Sequence, residues 1–492
     1  MKTISVDDLR NRVRGAWAGK MIGVSEGAPT EFRFCGRLVP EDKVPLWKPD
    51  MISEALRQDD LYVQMSFAAV VDAKGLDATT DDFGAMFATT KFNLWHANQA
   101  SRRALRRGVS AEESGTPKYN AHGNDICFQI NGDFAGVMCP GMPQASNDLI
   151  FRAGRVTCWG DGVYGGMFVA GMYTAAFFQS DPRKVVEAGL ACVADDGEYH
   201  KAIADVLAWS KDEADWQKVW QRVNAKWDNQ DRCPYGALEP LNIDGKVNGS
   251  YMAIAVLYGG DDFWKTTPIA TRCGQDSDCN PSTAAGIWGA MHGYDRIPAQ
   301  YTAGLAEIAD KKFDYTNYTF NSIVESTMTR AIAQIERAGG KREGEMLTIA
   351  IQPPTPRPAP QFVIGKPVER ISCEDPRWSW KGNWTAGSSR SGPEKLASEK
   401  DAEAAIDFEG TGALICGPYV GAGGTADVYL DGKLDRTIDV WPDDKKRKEM
   451  EDVWHRFDLP AGKHTVRLVV RGEKFRDSSG SEIRIHDLIV YR

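Results

Sequence analysis

Two acidic groups stand more than two hundred residues apart in this chain, and both carry residue types suited to holding a cation. The first is Gln58-Asp59-Asp60, leading into the apolar run Leu61, Val63, Met65, Phe67 and Ala68. The second is Gly274-Gln275-Asp276-Ser277-Asp278-Cys279-Asn280-Pro281, ahead of a stretch rich in alanine and glycine. Four carboxylates with little basic charge near them in sequence repel one another when folded together. A hard divalent ion taking oxygen ligands is the usual offset, so the pairing suggests a metal-dependent enzyme built on helices. Asp276, Asp278 and Asn280 have the one-three-five spacing of a calcium loop. The sixth place is Pro281 and the twelfth Ile287, however, where an EF-hand needs Gly and Glu. What remains is a loop whose alternating oxygens wrap one ion before a helix that starts near Pro281 or Ser282. The plainer readings are local: a helix N-terminus favours the charge of Asp59 and Asp60 by itself, and Asp276 and Asp278 suit a capped turn.

These groups need elements that bring them together. Ser5-Val6-Asp7-Asp8 offers a cap with an acid three residues on, after which Leu9, Val13, Ala16 and Trp17 recur at helical spacing. Gly15, Gly19 and Gly23 stand four apart, so one helix face has no side chains. Close approach of a second helix is the physical use that offsets the roughly 1 kcal/mol each glycine costs a helix. Ala285, Gly289 and Gly293 repeat the device directly after the second acidic group. Two small-residue helices, each beside an acidic group, are expected to pack closely and join them. Further helices are expected around 165–180, 183–194, 198–208 and 322–338.

Six prolines between Gln352 and Pro367 mark 351–368 as an extended linker or a strap along a domain surface, separating a helical domain 1–350 from a domain 369–492. Beyond it the period changes to two. Strands are expected at Ala404–Phe408, Ala413–Gly417, Ala426–Leu430, Thr437–Val440, His464–Val470 and Glu482–Tyr491. Asp431-Gly432 reads as a hairpin turn and Pro460-Ala461-Gly462 as another turn. The expected class is therefore multidomain: an all-α catalytic domain followed by an all-β, jelly-roll-like sandwich.

At 492 residues with a net charge of −9, the chain shows no Lys/Arg stripe for nucleic acid. Lys445-Lys446-Arg447-Lys448, set among Asp443, Asp444, Glu449 and Glu451, reads as a solvated loop. No stretch approaches the roughly 18 to 20 apolar residues of a membrane span. The N-terminus has no apolar signal core, which leaves the compartment open: periplasmic or secreted if a signal was removed, otherwise cytoplasmic. The ten cysteines form no CxxC and have no histidine at zinc spacing, so neither a zinc site nor a dense disulfide framework is expected.

The middle of the chain adds Asn124-Asp125, Asp133 and the loop Trp159-Gly160-Asp161-Gly162-Val163-Tyr164-Gly165-Gly166. Acids, an aromatic ring and flexible backbone of this kind commonly line a sugar site, with Trp159 as a stacking platform and Asp125, Asp133 and Asp161 as hydroxyl partners. Gly-rich turns between helices look the same, and Trp95 and His96 read as core or rim.

The segment RGAWAGKMIGVSEGAPTEF at 14–32, with QDD at 58–60 and GQDSDCN at 274–280, resembles the ADP-ribosylglycohydrolase family over roughly residues 8–300. That resemblance implies an all-α catalytic domain and a site for one or two magnesium ions, with manganese or calcium as alternatives. By motif, Asp59 and Asp60 would bind one ion, Asp276 a second, and Asp278 would bridge. Glu31 would orient or activate water, and Asp133–Pro140 lies where the family places a substrate-binding loop. The catalytic set implied is Glu31, Asp60 and Asp278. Three departures stand out. Gln58 replaces the usual Thr or Ser, and its amide oxygen could still ligate. Cys279 replaces a Thr and is a poor ligand for a hard cation, leaving Asn280 to supply the oxygen. Val24 replaces an early acid.

Three functions compete on these grounds. One is a metal-dependent glycosidase acting on a small carbohydrate or glycoside, favoured by the sandwich tryptophans Trp378, Trp380, Trp384, Trp441 and Trp454. The second is an ADP-ribosyl-acceptor hydrolase. The third is a non-catalytic sugar-binding protein, which the retention of all four acids disfavours. No nucleic-acid or membrane partner is expected, and the sequence does not set the oligomeric state.

Overall fold

The computed structural model describes residues 1–228, 231–443 and 447–492. Two compact units are present: Met1–Asn229 with Leu241–Gln361, and Gln230–Pro240 with Phe362–Arg492. The first is helical, and its core is one continuous apolar cluster running from Ile4 to Ala359.

The helix Val6–Gly27 opens on Ser5, whose hydroxyl accepts from the Asp8 N–H. It packs antiparallel against the helix Cys279–His292 at backbone-to-backbone distance. A Cβ added at Gly15, Gly19, Gly23 or Gly27 would lie 2.4, 2.2, 2.2 or 2.1 Å from the carbonyl oxygens of Gly289, Ala285, Pro281 and Ser277 respectively. The stripe is thus one turn longer than its first three glycines suggest, and Gly27 seats the end of the first helix on the acidic loop itself. Gly19→Ala tests this seam. The better helix propensity of alanine is worth about 1 kcal/mol, but the new methyl meets backbone that cannot rotate away. A net destabilisation of about 1–3 kcal/mol is expected from denaturant unfolding.

The helix Asp59–Lys74 begins immediately after Gln58, and Asp278 is the N-cap of Cys279–His292, accepting from the Cys279 N–H at 2.9 Å. Both acidic groups therefore sit at helix N-termini, where the macrodipole favours negative charge. The later helices lie at Asp161–Ala176, Pro182–Leu190, Glu198–Trp209 and Phe320–Arg337. The proline-rich segment is laid onto the helical unit as far as Gln361. The Gln352 side chain accepts from the N–H groups of Gln144 and Ala145, Arg357 pairs with Asp148, and the Ala359 N–H donates to the Tyr164 hydroxyl. The compact units thus divide after Gln361, inside the stretch whose composition marks it as a linker.

The second unit is all-β and antiparallel. A five-stranded sheet contains the strands Lys433–Asp439, Gly424–Leu430, Gly462–Lys474, Glu403–Gly410 and Ser379–Lys381. A four-stranded sheet contains Lys448–Arg456, Gly412–Tyr419, Asp487–Tyr491 and Pro367–Ser372. Their inward residues share one core, with Ile406, Val428, Val466 and Leu468 from the first sheet and Ile371, Ile415, Leu488 and Val490 from the second. Asp431 and Gly432 both take positive φ, 49° and 79°, and close the hairpin between Leu430 and Lys433. In the charged run, 444–446 fall outside the described residues. Lys448 departs from the solvated-loop expectation: it is buried and opens a strand that pairs with Gly412–Tyr419. Trp378, Trp441 and Trp454 are at most 8% exposed; Trp378 and Trp454 belong to the β core, and Trp441 stacks on Phe475.

All ten cysteines are free thiols, Cys35 half-buried and the others buried. Among the described residues, no helix is long and apolar enough to cross a membrane.

Candidate functional site

The glycine seam delivers the end of the first helix, the start of Asp59–Lys74 and the loop 274–280 to one place. Asp60, Asp276, Asp278 and Asn280 are at most 3% exposed, Gln58 and Asp59 are half-buried, and Glu31 is exposed at the rim. Oxygens of Asp276 and Asp278 lie with the Cys279 sulfur within 4.8 Å of one another. Burial raises the Asp276 and Asp278 carboxyls, and neighbouring acids raise them further: Glu31 and Asp59 act on Asp276, and Asp276, Asp60 and Asp59 act on Asp278. Glu31 is raised by desolvation and then by Asp278, Asp59 and Asp60; its exposure moderates the size of that shift, so the direction is what matters.

The donor set fits a hard divalent ion. Among the described residues, Asp276 Oδ1 and Asn280 Oδ1 are buried without a hydrogen-bond partner. The Asn280 amide is fixed by its Nδ2 donating 2.9 Å to Asn248 Oδ1, which leaves its carbonyl oxygen available. Burial and the adjacent acids raise the Cys279 thiol well above its ordinary value, and a thiol is a poor ligand for a hard cation. Asp59, Asp60, Asp276, Asp278 and Asn280 are the residues that would hold the ion.

One cation is built into the chain, and the sequence reading missed it. Lys20, on the first helix, is 1% exposed, with Nζ 3.4 Å from Asp60 and 3.1 Å from Asp133. Its charge survives burial because Asp133 and Asp60 outweigh desolvation and raise its pKa. Asp60 is therefore partly neutralised from within. The available signal was a lone lysine in the otherwise apolar stretch Ala16–Val24, which a buried helix tolerates only with a partner.

The middle-region candidates Asp125, Asp133, Trp159 and Asp161 are all buried. Asp133 is 1% exposed and faces Lys20. Asp161 accepts from the N–H groups of Glu198 and Tyr199, both at 3.1 Å, so it caps the helix Glu198–Trp209; burial and Asp244 raise its carboxyl to about 6. The Trp159 ring packs on Gly123, where a Cβ would come within 1.9 Å of its Cδ1. Asp125 is fully buried beside His96 and His122. Burial and His122 lower His96 to about 3, keeping its ring neutral.

These raised carboxyls set a pH dependence. A folded acid whose pKa lies above its unfolded value binds more protons folded than unfolded, so its contribution to stability falls as pH rises between the two values. Asp60 is raised to about 6, and Asp276, Asp278 and Glu31 are raised as well. The chelated protein is therefore expected to unfold at lower denaturant at pH 8 than at pH 5.5. Millimolar magnesium at pH 8 is expected to remove most of the difference, as ion binding selects the ionised acids.

The family model for ADP-ribosylglycohydrolase matches residues 5–335, and the chain belongs to the ADP-ribosylglycohydrolase family. At a coarse level this makes it a hydrolase of glycosidic bonds. No curated protein matches. Among solved structures, an ADP-ribosylglycohydrolase-related protein complex is similar at 16% identity, covering 67% of this chain and 99% of that one, with a TM-score of 0.44. The CBM36-1 domain of a multidomain xylanase from the hindgut metagenome of Trinervitermes trinervoides is similar at 15% identity over 25% of this chain and 94% of that one, TM-score 0.18. A carbohydrate-binding module CBM36 in complex with calcium and xylotriose is similar at 10% identity over 25% and 100%, TM-score 0.18. None of the three reaches a level that bears on activity.

Proposed function

We propose that the protein is a divalent-metal-dependent glycoside hydrolase acting on a neutral carbohydrate, with the acids at the glycine seam as its catalytic centre. The observation that carries this is the cluster of buried Asp60, Asp276 and Asp278 with half-buried Asp59 and the open oxygens of Asp276 and Asn280. When bound there, a hard divalent ion polarises substrate oxygens and eases ionisation of a water. The chain's own part is electrostatic and positional. Glycosidic cleavage passes through an oxocarbenium-like state, whose positive charge Asp59 and Asp278 stabilise. Glu31, at the rim and raised by the acids facing it, holds a proton to higher pH than an ordinary carboxyl and so suits proton exchange with the water or the leaving group.

Gln58 and Cys279, which stand where the family resemblance implies Thr or Ser, favour a carbohydrate other than ADP-ribose. Family membership supports the second reading, removal of ADP-ribose from an acceptor.

The test is a panel of neutral glycosides beside ADP-ribosyl-arginine and ADP-ribosyl-serine, each with and without a chelator. Turnover of a neutral glycoside that stops on chelation and returns with magnesium or manganese supports the proposal. Turnover of the ADP-ribosyl compounds alone moves the function to the second reading, and binding of sugar without any turnover to a sugar-binding protein. With an active substrate, Glu31→Gln is expected to lower turnover by about 100-fold or more while substrate affinity changes only a few-fold.

A further inference from the structure

We propose that His96, His122 and Asp125 form a second metal centre in the helical unit, one suited to zinc or another borderline transition ion, distinct from the oxygen-only cluster at the glycine seam. The three residues come from two places: His96 begins the helix His96–Arg106, while His122 and Asp125 lie in the loop before the short turn Ile126–Phe128. The fold nonetheless brings one ligand atom of each within 4.8 Å of the others.

The distances are those of ligands around an ion. The Nδ1 atoms of His96 and His122 both approach the same Asp125 oxygen, at 3.8 and 3.5 Å. Both separations exceed the 2.7–3.2 Å of an ordinary N–H···O hydrogen bond. Four ligands at about 2.0–2.2 Å from a tetrahedral zinc stand roughly 3.3–3.6 Å apart, so the two edges to Asp125 need at most a few tenths of an ångström of closure, and the third edge lies within 4.8 Å. The two imidazoles are held at 65° with centroids 5.9 Å apart, not stacked against each other. Two imidazoles and one carboxylate are also a frequent protein ligand set for zinc, whereas the all-oxygen seam suits magnesium or calcium.

The surrounding structure fixes this geometry. His122 and Asp125 are fully buried. Asn120 spans the two segments, donating from Nδ2 to the Ala97 carbonyl and accepting the His122 N–H at its Oδ1, both at 3.0 Å. His96 takes a left-handed backbone, φ 49°, at a residue other than glycine. Such a conformation costs energy, persists only where its surroundings impose it, and here aims the ring at Asp125.

The test uses the full chain, stripped with chelator, dialysed against zinc alone and assayed for metal by mass spectrometry. One zinc per chain is expected, with an absorption-edge spectrum showing two imidazole nitrogens. His122→Ala and Asp125→Asn are expected to lower zinc affinity at least 100-fold, and Asp278→Asn to leave it unchanged. Absence of zinc from the wild type, zinc without imidazole ligation, unchanged affinity in both His122→Ala and Asp125→Asn, or loss of zinc in Asp278→Asn would each overturn the proposal. Should the buried variants fail to fold, His96→Ala, at the less buried corner, gives the same reading, and the nitrogen count on wild type needs no variant.

Discussion

Asp278→Ala is expected to lower hydrolysis by about 100- to 1000-fold, the scale of losing one preorganised electrostatic contact to a transition state. It should also abolish the stabilisation that a divalent ion gives the wild type, about 2.7 kcal/mol at a hundred times its Kd. The cause is that Asp278 faces Asp276, Asp59, Asp60 and Glu31 together, so no other acid of the cluster replaces it. A second variant separates charge from structure. Asp278 also caps the helix Cys279–His292, and alanine forfeits that cap at a cost of about 1 kcal/mol. Asn keeps a capping oxygen and removes the repulsion, so Asp278→Asn should be at least as stable as wild type without metal while remaining inactive. Near-normal hydrolysis in either variant would remove Asp278 from the centre of the mechanism.

Lys20→Met is expected to be the most destabilising single change at the site, by about 3–5 kcal/mol, because it leaves Asp60 and Asp133 buried without their counter-charge. One of the two carboxyls can protonate to relieve this. The defect should therefore be larger at pH 8 than at pH 5, since a carboxyl raised further in the folded state loses stability as pH rises towards that folded value. Adding Asp133→Asn to Lys20→Met should recover much of the loss by removing the second buried charge. Denaturant midpoints at the two pH values measure all of this. A loss below about 1 kcal/mol in Lys20→Met would mean that Lys20 does not carry the charge balance of the site.

The sequence was most legible where a pattern had a single physical use. Glycines four apart serve close helix packing, and the seam from Gly15 to Gly27 is where the two acidic groups meet. Asp431-Gly432 closes the expected hairpin because both residues accept positive φ. It was least legible where partners are distant in sequence. Nothing near Lys20 in the chain names Asp60 and Asp133, and the four-acid pattern alone pointed to a bound ion as the offset. The cap that Asp161 makes on Glu198–Trp209 was not legible either, because its partners lie 37 and 38 residues away. The strand Lys448–Arg456 escaped notice because its charged residues alternate with too few apolar ones to show a period of two, although Glu451 and His455 are buried in the fold. His96 and His122 stand at no zinc spacing in the sequence and come together only through the fold.

The most direct measurement is anomalous scattering from crystals of the whole chain grown with millimolar manganese after removal of other metals. A peak bonded to oxygens of Asp59, Asp276 and Asp278, and absent from Asp278→Asn crystals, is the expected result. Data of equal quality with no peak among those carboxylates, from protein whose hydrolytic rate is unchanged by chelation, would contradict a metal-centred site.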